Sequence, residues 1–213
     1  VIVLVEPAGP INLGSIARLC SNFNANELRL VKPGCSPCDP EAKKMATKGQ
    51  DFLDNVFIFD SLIDALEDCQ RVIATCGRID HGSITLNSPQ EGLSWLLNNP
   101  SPGPIAIVFG REDRGLSNQE LLLAHKVISI NTSSKYPSLN LSHSVSILLY
   151  ELRKQEKDCN QLLSINSYSC PRPKELNDFI VDTQELLLGV GFLLNHTAKA
   201  RMSKVKSLLQ RAE

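Results

Sequence analysis

Short, almost wholly apolar runs recur along this chain, separated by segments with helical spacing. Val1-Ile2-Val3-Leu4-Val5 is the first, Leu28-Arg29-Leu30-Val31 the second and Ile105-Ala106-Ile107-Val108-Phe109 the clearest. Further strands are expected at Val56 to Phe59, Arg71 to Thr75 and Val127 to Ile130. A run without polar alternation must be covered on both faces, as parallel-sheet strands are. Helical stretches are expected near Glu41 to Leu53, Ser61 to Leu66 and Pro89 to Leu97. Asn12 is placed to cap a helix carrying Leu13, Ile16, Cys20 and Phe23. Ser117 followed by Glu120 predicts a capping box. Leu141, Val145, Leu148, Leu149 and Leu152 mark a long amphipathic helix to Arg153. Alternating strands and helices predict an α/β fold, with a mainly parallel sheet and helices on both faces.

That unit is expected over residues 1–157. Residues 158–173 are polar, include Pro171 and Pro173, and read as a linker. Residues 174–213 predict a helical extension, Lys174 to Leu188 and Thr197 to Arg211, around Gly189-Val190-Gly191. At 213 residues the chain is long enough for one core with an appendage.

Composition narrows the function classes. Apolar residues are 42% and charged residues 21%, which excludes a disordered chain and a coiled coil. A net charge of -1 supplies no global basic field, so a nucleic-acid partner needs a local patch. Leu186 to Leu194, the longest strongly apolar run, is broken by two glycines and falls short of the about 20 residues a membrane span needs. Seven irregularly spaced cysteines and no secretory signal pattern favour a reducing, cytoplasmic setting. Cys35-Ser36-Pro37-Cys38 has zinc-ligand spacing without a second pair, so no metal is expected. His143 reads as a helix-start residue. Aromatics are 5% and not interleaved with bases, so composition signals no stacking on single-stranded RNA.

Three segments carry chemistry. Glu6 to Arg18 leaves a strand end and opens a helix, where ligands gather in open α/β sheets. Phe109-Gly110-Arg111-Glu112-Asp113-Arg114-Gly115-Leu116 packs four charges between a buried strand and a helix, and lacks P-loop spacing. Tyr136-Pro137-Ser138-Leu139-Asn140-Leu141-Ser142-His143-Ser144 offers short polar side chains, of which Asn140 or Ser142 can cap the next helix.

Together the three resemble the motifs of the SPOUT class of RNA methyltransferases, in its TrmH (SpoU) branch. The first is Asn12, Gly14 and Arg18; the second is Phe109, Gly110, Glu112, Gly115 and Leu116; the third is Ser138 to Val145. The wording of the second and third, and the C-terminal helices, are similar to the TrmJ-like tRNA ribose methyltransferases. The resemblance implies a C-terminal trefoil knot, which general fold rules would not suggest. It implies an S-adenosylmethionine pocket walled by Thr75, Cys76, Gly77, Gly110, Gly115, Leu116, Ile130, Asn131, Thr132, Ser138, Leu139 and Ser144. It implies a homodimer in which the Arg18 helix of one subunit faces the partner's pocket.

The implied reaction is methyl transfer to a ribose 2′-hydroxyl of tRNA, at an anticodon-loop nucleotide. Arg18, Asn12, Glu112, Ser138 and Asn140 are its expected catalytic residues. An arginine keeps its proton, so a phosphate grip and charge stabilisation suit Arg18 better than a base. Arg18, Arg111, Arg114, Lys199, Arg201 and Lys204 are expected to meet RNA. In the last helix Lys206 and Arg211 add to the basic face, and Ala198, Met202, Val205 and Leu209 form an apolar stripe. A ribosomal-RNA (rRNA) methyltransferase and a non-catalytic RNA-binding relative are the alternatives. Intact Asn12, Arg18, Glu112 and Asn140 count against the second.

Overall fold

The computed structural model describes residues 1–77, 84–97, 103–159 and 171–209. Its strands are β1 (Ile2–Val5), β2 (Leu28–Val31), β3 (Phe57–Phe59), β4 (Arg71–Thr75), β5 (Leu86–Asn87), β6 (Ile105–Phe109) and β7 (Lys126–Ile128). All pair in parallel, in the order β3-β2-β1-β6-β4-β7-β5. The helices are α1 (Pro10–Asn22), α2 (Pro40–Ala46), α3 (Gln50–Asp54), α4 (Leu62–Ala65) and α5 (Pro89–Leu97). They continue with α6 (Asn118–Leu121), α7 (Leu141–Cys159), α8 (Pro173–Gly189) and α9 (Asn195–Leu209).

The apolar strands hide an alternation of size. Successive side chains in a strand point to opposite faces. Ile2, Leu4, Leu28, Leu30, Ile73, Ile107 and Phe109 pack on one face with residues of α1, α2, α3, α5 and α7. Val3, Val5, Val31, Val72, Ala74, Ala106 and Val108 pack on the other, with α4 and Leu121 of α6. The bulkier set thus faces the five-helix layer, and the smaller set lets two short helices sit close. Arg29 is buried within β2, where Asp68 accepts two hydrogen bonds from its guanidinium at 2.6 and 2.8 Å and the Ala65 carbonyl a third at 2.7 Å.

Several local expectations change. Helix α1 starts at Pro10 with Gly9 as its N-cap, so Asn12 lies inside the first turn and does not cap it. Proline's fixed φ and missing N–H suit the first helical position. The expected helix from Glu41 to Leu53 is α2, a 3₁₀ turn at Thr47–Gly49 and α3. Thr47 breaks it at φ 49, a conformation a β-branched residue cannot propagate as a helix. Strand β7 ends at Ile128, leaving Ile130 in the loop beyond. Strand β5, two residues long, is too short to show a period. Helix α7 runs to Cys159, past the expected boundary at 157. Residues 160–170 of the expected linker lie outside the described residues.

Helices α8 and α9 form a hairpin around Ile180, Leu193, Ala198 and Met202, a cluster separate from both sheet faces. Leu209, expected in its apolar stripe, is exposed. Lys206, expected on the basic face, is buried and donates to Asn177 Oδ1 at 3.3 Å. It follows Met202 by one turn and so shares its inward side. An ion pair between Lys174 and Glu67 and a 2.8 Å hydrogen bond between His125 Nε2 and the Pro171 carbonyl tie the hairpin's start to the sheet unit.

Candidate active site

The ends of β1, β4, β6 and β7 lie on one side of the sheet, and the three singled-out segments converge there. Backbone geometry makes this convergence tight. A Cβ on Gly14 would stand 2.1 Å from the Ala42 carbonyl oxygen, so the motif glycine lets α1 lie directly on α2. A Cβ on Gly110 would stand 2.3 Å from the carbonyl carbon of Gly115. Gly115, at φ +65, folds the loop back so that its N–H donates to the Arg111 carbonyl at 2.8 Å.

Two adjoining cavities result. The first, about 570 Å³, is lined by Thr75, Cys76, Gly77, the loop from Phe109 to Gly115, Ile128, Ile130, Pro137, Ser138, Leu139, Leu141 and Ser144. It contains nine of the expected cofactor residues. Leu116 is buried beneath the loop instead, Thr132 lines the neighbouring cavity, and Asn131 is exposed and lines neither. The second cavity, about 680 Å³, is lined by Asn12, Glu112, Thr132, Ser133, Tyr136, Ser138, Leu139, Asn140, Leu141 and His143. Glu112, Ser138, Leu139 and Leu141 belong to both. Sequence reasoning assigned no ligand role to Tyr136 or His143. Their position just before and just after the Ser138–Asn140 motif is the signal that could have found them.

One hydrogen-bonded chain joins the three segments. Glu112 accepts from the Ala8 N–H at 3.0 Å, the Gly9 N–H at 3.1 Å and Asn12 Nδ2 at 3.1 Å. Asn12 Oδ1 accepts from Asn140 Nδ2 at 3.0 Å. Asn140 Oδ1 in turn accepts from the Ser142 N–H at 2.8 Å and Ser142 Oγ at 2.7 Å, capping α7. Burial alone would raise the Glu112 pKa, but the donors from Ala8, Asn12 and Gly9 outweigh it and hold the carboxyl below its usual value. Its lone pairs are committed to the start of α1. Glu112 is thus an ionised acceptor that anchors the start of α1.

The charged residues divide into two groups. Arg111 donates to Asp113 at 2.9 Å, and Arg114 pairs with Glu6 at 3.1 Å and Glu120 at 3.2 Å. Both arginines line the first cavity, Arg111 half-buried and Arg114 exposed. Arg18 is exposed, has no hydrogen bond or ion pair among the described residues, and lines neither cavity. It lies six residues beyond Asn12, about 9 Å along α1. Lys199, Arg201 and Lys204 are exposed on α9 and also line neither cavity. Among the described residues no group of three or more His, Cys, Asp or Glu is placed to hold a metal ion. No described helix is long and apolar enough to cross a membrane.

Comparison with known proteins agrees with this geometry. A model of the SpoU rRNA Methylase family matches residues 1–150. The tRNA (cytidine-2′-O-)-methyltransferase TrmJ of Methanocaldococcus jannaschii is 38% identical over 195 residues, covering 87% of this chain and 83% of that one. The crystal structure of TrmJ from Z. mobilis ZM4 superposes with a TM-score of 0.81 at 25% identity, covering 98% of this chain and 89% of the other. A structure concerning 2-OH methylation of C/U34 on tRNA superposes with a TM-score of 0.60 at 26% identity, covering 74% of this chain and 95% of the other. By the match over residues 1–150 and the converging motifs, the chain belongs to the SpoU rRNA methylase family.

Proposed function

We propose that this chain is a cytoplasmic, S-adenosylmethionine-dependent tRNA methyltransferase that modifies a ribose 2′-hydroxyl, at an anticodon-loop nucleotide. The observation that carries the reading is the pair of adjoining cavities bridged by the Glu112–Asn12–Asn140 chain. One cavity suits a methyl donor and the other an acceptor, with Ser138 and Leu139 common to both. The relatives named above support tRNA and its 2′-oxygen as the target.

The residues of the first cavity fit the cofactor. Its volume of about 570 Å³ lies in the usual range for small-molecule sites. Phe109, Ile128 and Leu139 offer apolar walls for an adenine, and Thr75, Ser138 and Ser144 offer hydroxyls for a ribose. Bound there, S-adenosylmethionine supplies a methyl group on a positively charged sulfur. The Gly110–Gly115 fold closes one side and keeps water from the reacting centre. The chain after β7 is proposed to thread the family's trefoil knot around this cavity.

The chain's own residues then orient the acceptor. Ser138 is exposed and has no hydrogen-bond partner among the described residues, leaving its Oγ free for the target ribose. Asn12 and Asn140 hold the second cavity open at its base through their mutual bond. Arg18 is proposed to reach the site of a second protomer, where it grips the phosphate beside the target and stabilises charge developing on the 2′-oxygen. Positive charge for the rest of the RNA comes from Lys199, Arg201 and Lys204.

The test is methyl transfer from labelled S-adenosylmethionine to unmodified bulk tRNA, with Arg18→Ala alongside. Label in ribose, lost in the variant, is the expected result, and mapping it identifies the nucleotide. Cofactor binding without tRNA labelling would overturn the tRNA assignment, and rRNA would be assayed next.

A further inference from the structure

We infer that the Lys135–Tyr136 turn is a clamp for the target nucleotide, with the Tyr136 ring stacking on its base and Lys135 meeting the adjacent phosphate. This rests on the reading above that RNA enters the second cavity. Tyr136 is 78% exposed yet lines that cavity. Among the described residues it is the cavity's one aromatic besides His143, and its hydroxyl has no partner. An aromatic face left to water at the mouth of a binding cavity is available to any base, since every base presents a π-face.

The turn fixes the backbone that carries the ring. The Tyr136 N–H donates to the Ser133 carbonyl at 3.0 Å, and the Lys135 N–H donates to Ser133 Oγ at 3.3 Å. Thr132 Oγ1 donates to the Pro137 carbonyl at 3.0 Å, closing the loop from within. Pro137 restricts the residue before it, which is Tyr136 itself. The backbone of the turn is therefore ordered before RNA arrives, and stacking has only the side chain's own freedom to remove. Lys135 is exposed and carries no ion pair among the described residues. A cation beside an aromatic platform is how single-stranded nucleic acid is held without reading its sequence.

The experiment compares wild type, Tyr136→Ala, Tyr136→Phe and Lys135→Ala in tRNA methylation, with cofactor affinity measured separately. Tyr136→Ala is expected to raise KM for tRNA on the order of 10- to 100-fold, with the loss mainly in KM. Tyr136→Phe restores most of it, because the ring remains. Lys135→Ala lowers the slope of log affinity against log salt by about 0.7. A wild-type KM in Tyr136→Ala overturns the clamp, as does a Tyr136→Phe variant as impaired as the alanine. Tyr136→Trp gives a readout without turnover. An RNA oligonucleotide should quench its fluorescence beyond any change in the wild type, whose single tryptophan is Trp95. Absent quenching overturns the proposal, whereas quenching of Tyr136→Trp beside a wild type that methylates no tRNA overturns only the substrate reading.

Discussion

Asn140 and Asn12, 128 positions apart, are joined by a 3.0 Å hydrogen bond from Nδ2 of the first to Oδ1 of the second. Asn12 thus gives through its nitrogen to Glu112 and receives through its oxygen from Asn140. No other side chain of that length does both. Asn12→Ala strips a donor from one neighbour and an acceptor from the other, a loss of about 1–3 kcal/mol. A fall in kcat of roughly 10- to 100-fold is expected in the labelled-methyl assay. Asn12→Asp should be worse at neutral pH, since it sets a second carboxylate beside Glu112. It should recover partly in acid, where one of the two holds a proton.

Arg18 lines neither cavity of its own chain, so its contribution is testable by mixing subunits. Gly77 lines the first cavity, and a Cβ there meets nothing within 4 Å. Gly77→Phe should therefore fill the cofactor cavity while the fold tolerates it. On the proposed two-protomer arrangement, Arg18→Ala and Gly77→Phe should each be inactive alone. After unfolding and joint refolding, heterodimers with one intact composite site should recover about a quarter of wild-type activity. A mixture that stays inactive would place Arg18 in service of its own chain.

The Glu112 carboxyl is held below its usual 4.5 in the folded protein. A carboxylate with a depressed pKa stabilises the fold above its unfolded value, and that stability is lost as pH falls through the folded value. The thermal midpoint of wild type should thus drop more steeply below pH 4.5 than that of Glu112→Gln. Thermal melts at stepped pH check this. Parallel curves for the two proteins would refute it.

Burial drives the Lys206 pKa down, because the ammonium is poorly solvated between α8 and α9. A base depressed by folding makes the native state gain stability as pH rises toward its unfolded value of 10.5. Lys206→Met removes the buried charge and keeps the length of the side chain. It should raise stability near neutral pH by about 1 kcal/mol and abolish the alkaline gain. Denaturant titration at two pH values measures both effects.

Local patterns were legible in the sequence wherever neighbours in the chain set them. Ser117 and Glu120 form the predicted capping box because its atoms span three residues. The parallel strands show as apolar runs because both faces are covered. Their size alternation was concealed, since isoleucine and valine look alike to a polar–apolar reading. Asn12 reads as a cap in isolation; Pro10 starts the helix two residues earlier, and the side chain donates to Glu112, 100 positions away. The buried Lys206 carries a charge that pattern alone assigns to water. Nine of the twelve residues expected at the cofactor cavity were legible through their motifs, but the Glu112–Asn12–Asn140 connection exists only after folding.

The hairpin of α8 and α9 has consequences for how the molecule breathes. Its cluster of Ile180, Leu193, Ala198 and Met202 is shared with neither sheet face. Opening it therefore costs its own contacts and the two polar ties at Lys174 and Pro171, and leaves the seven strands intact. Amide protons of α8 and α9 should exchange with solvent through local opening, while those of β1 and β6 wait for global unfolding. The basic residues of α9 ride on this looser unit, so in the proposed complex they would adjust to the curvature of the RNA while the two cavities keep their shape.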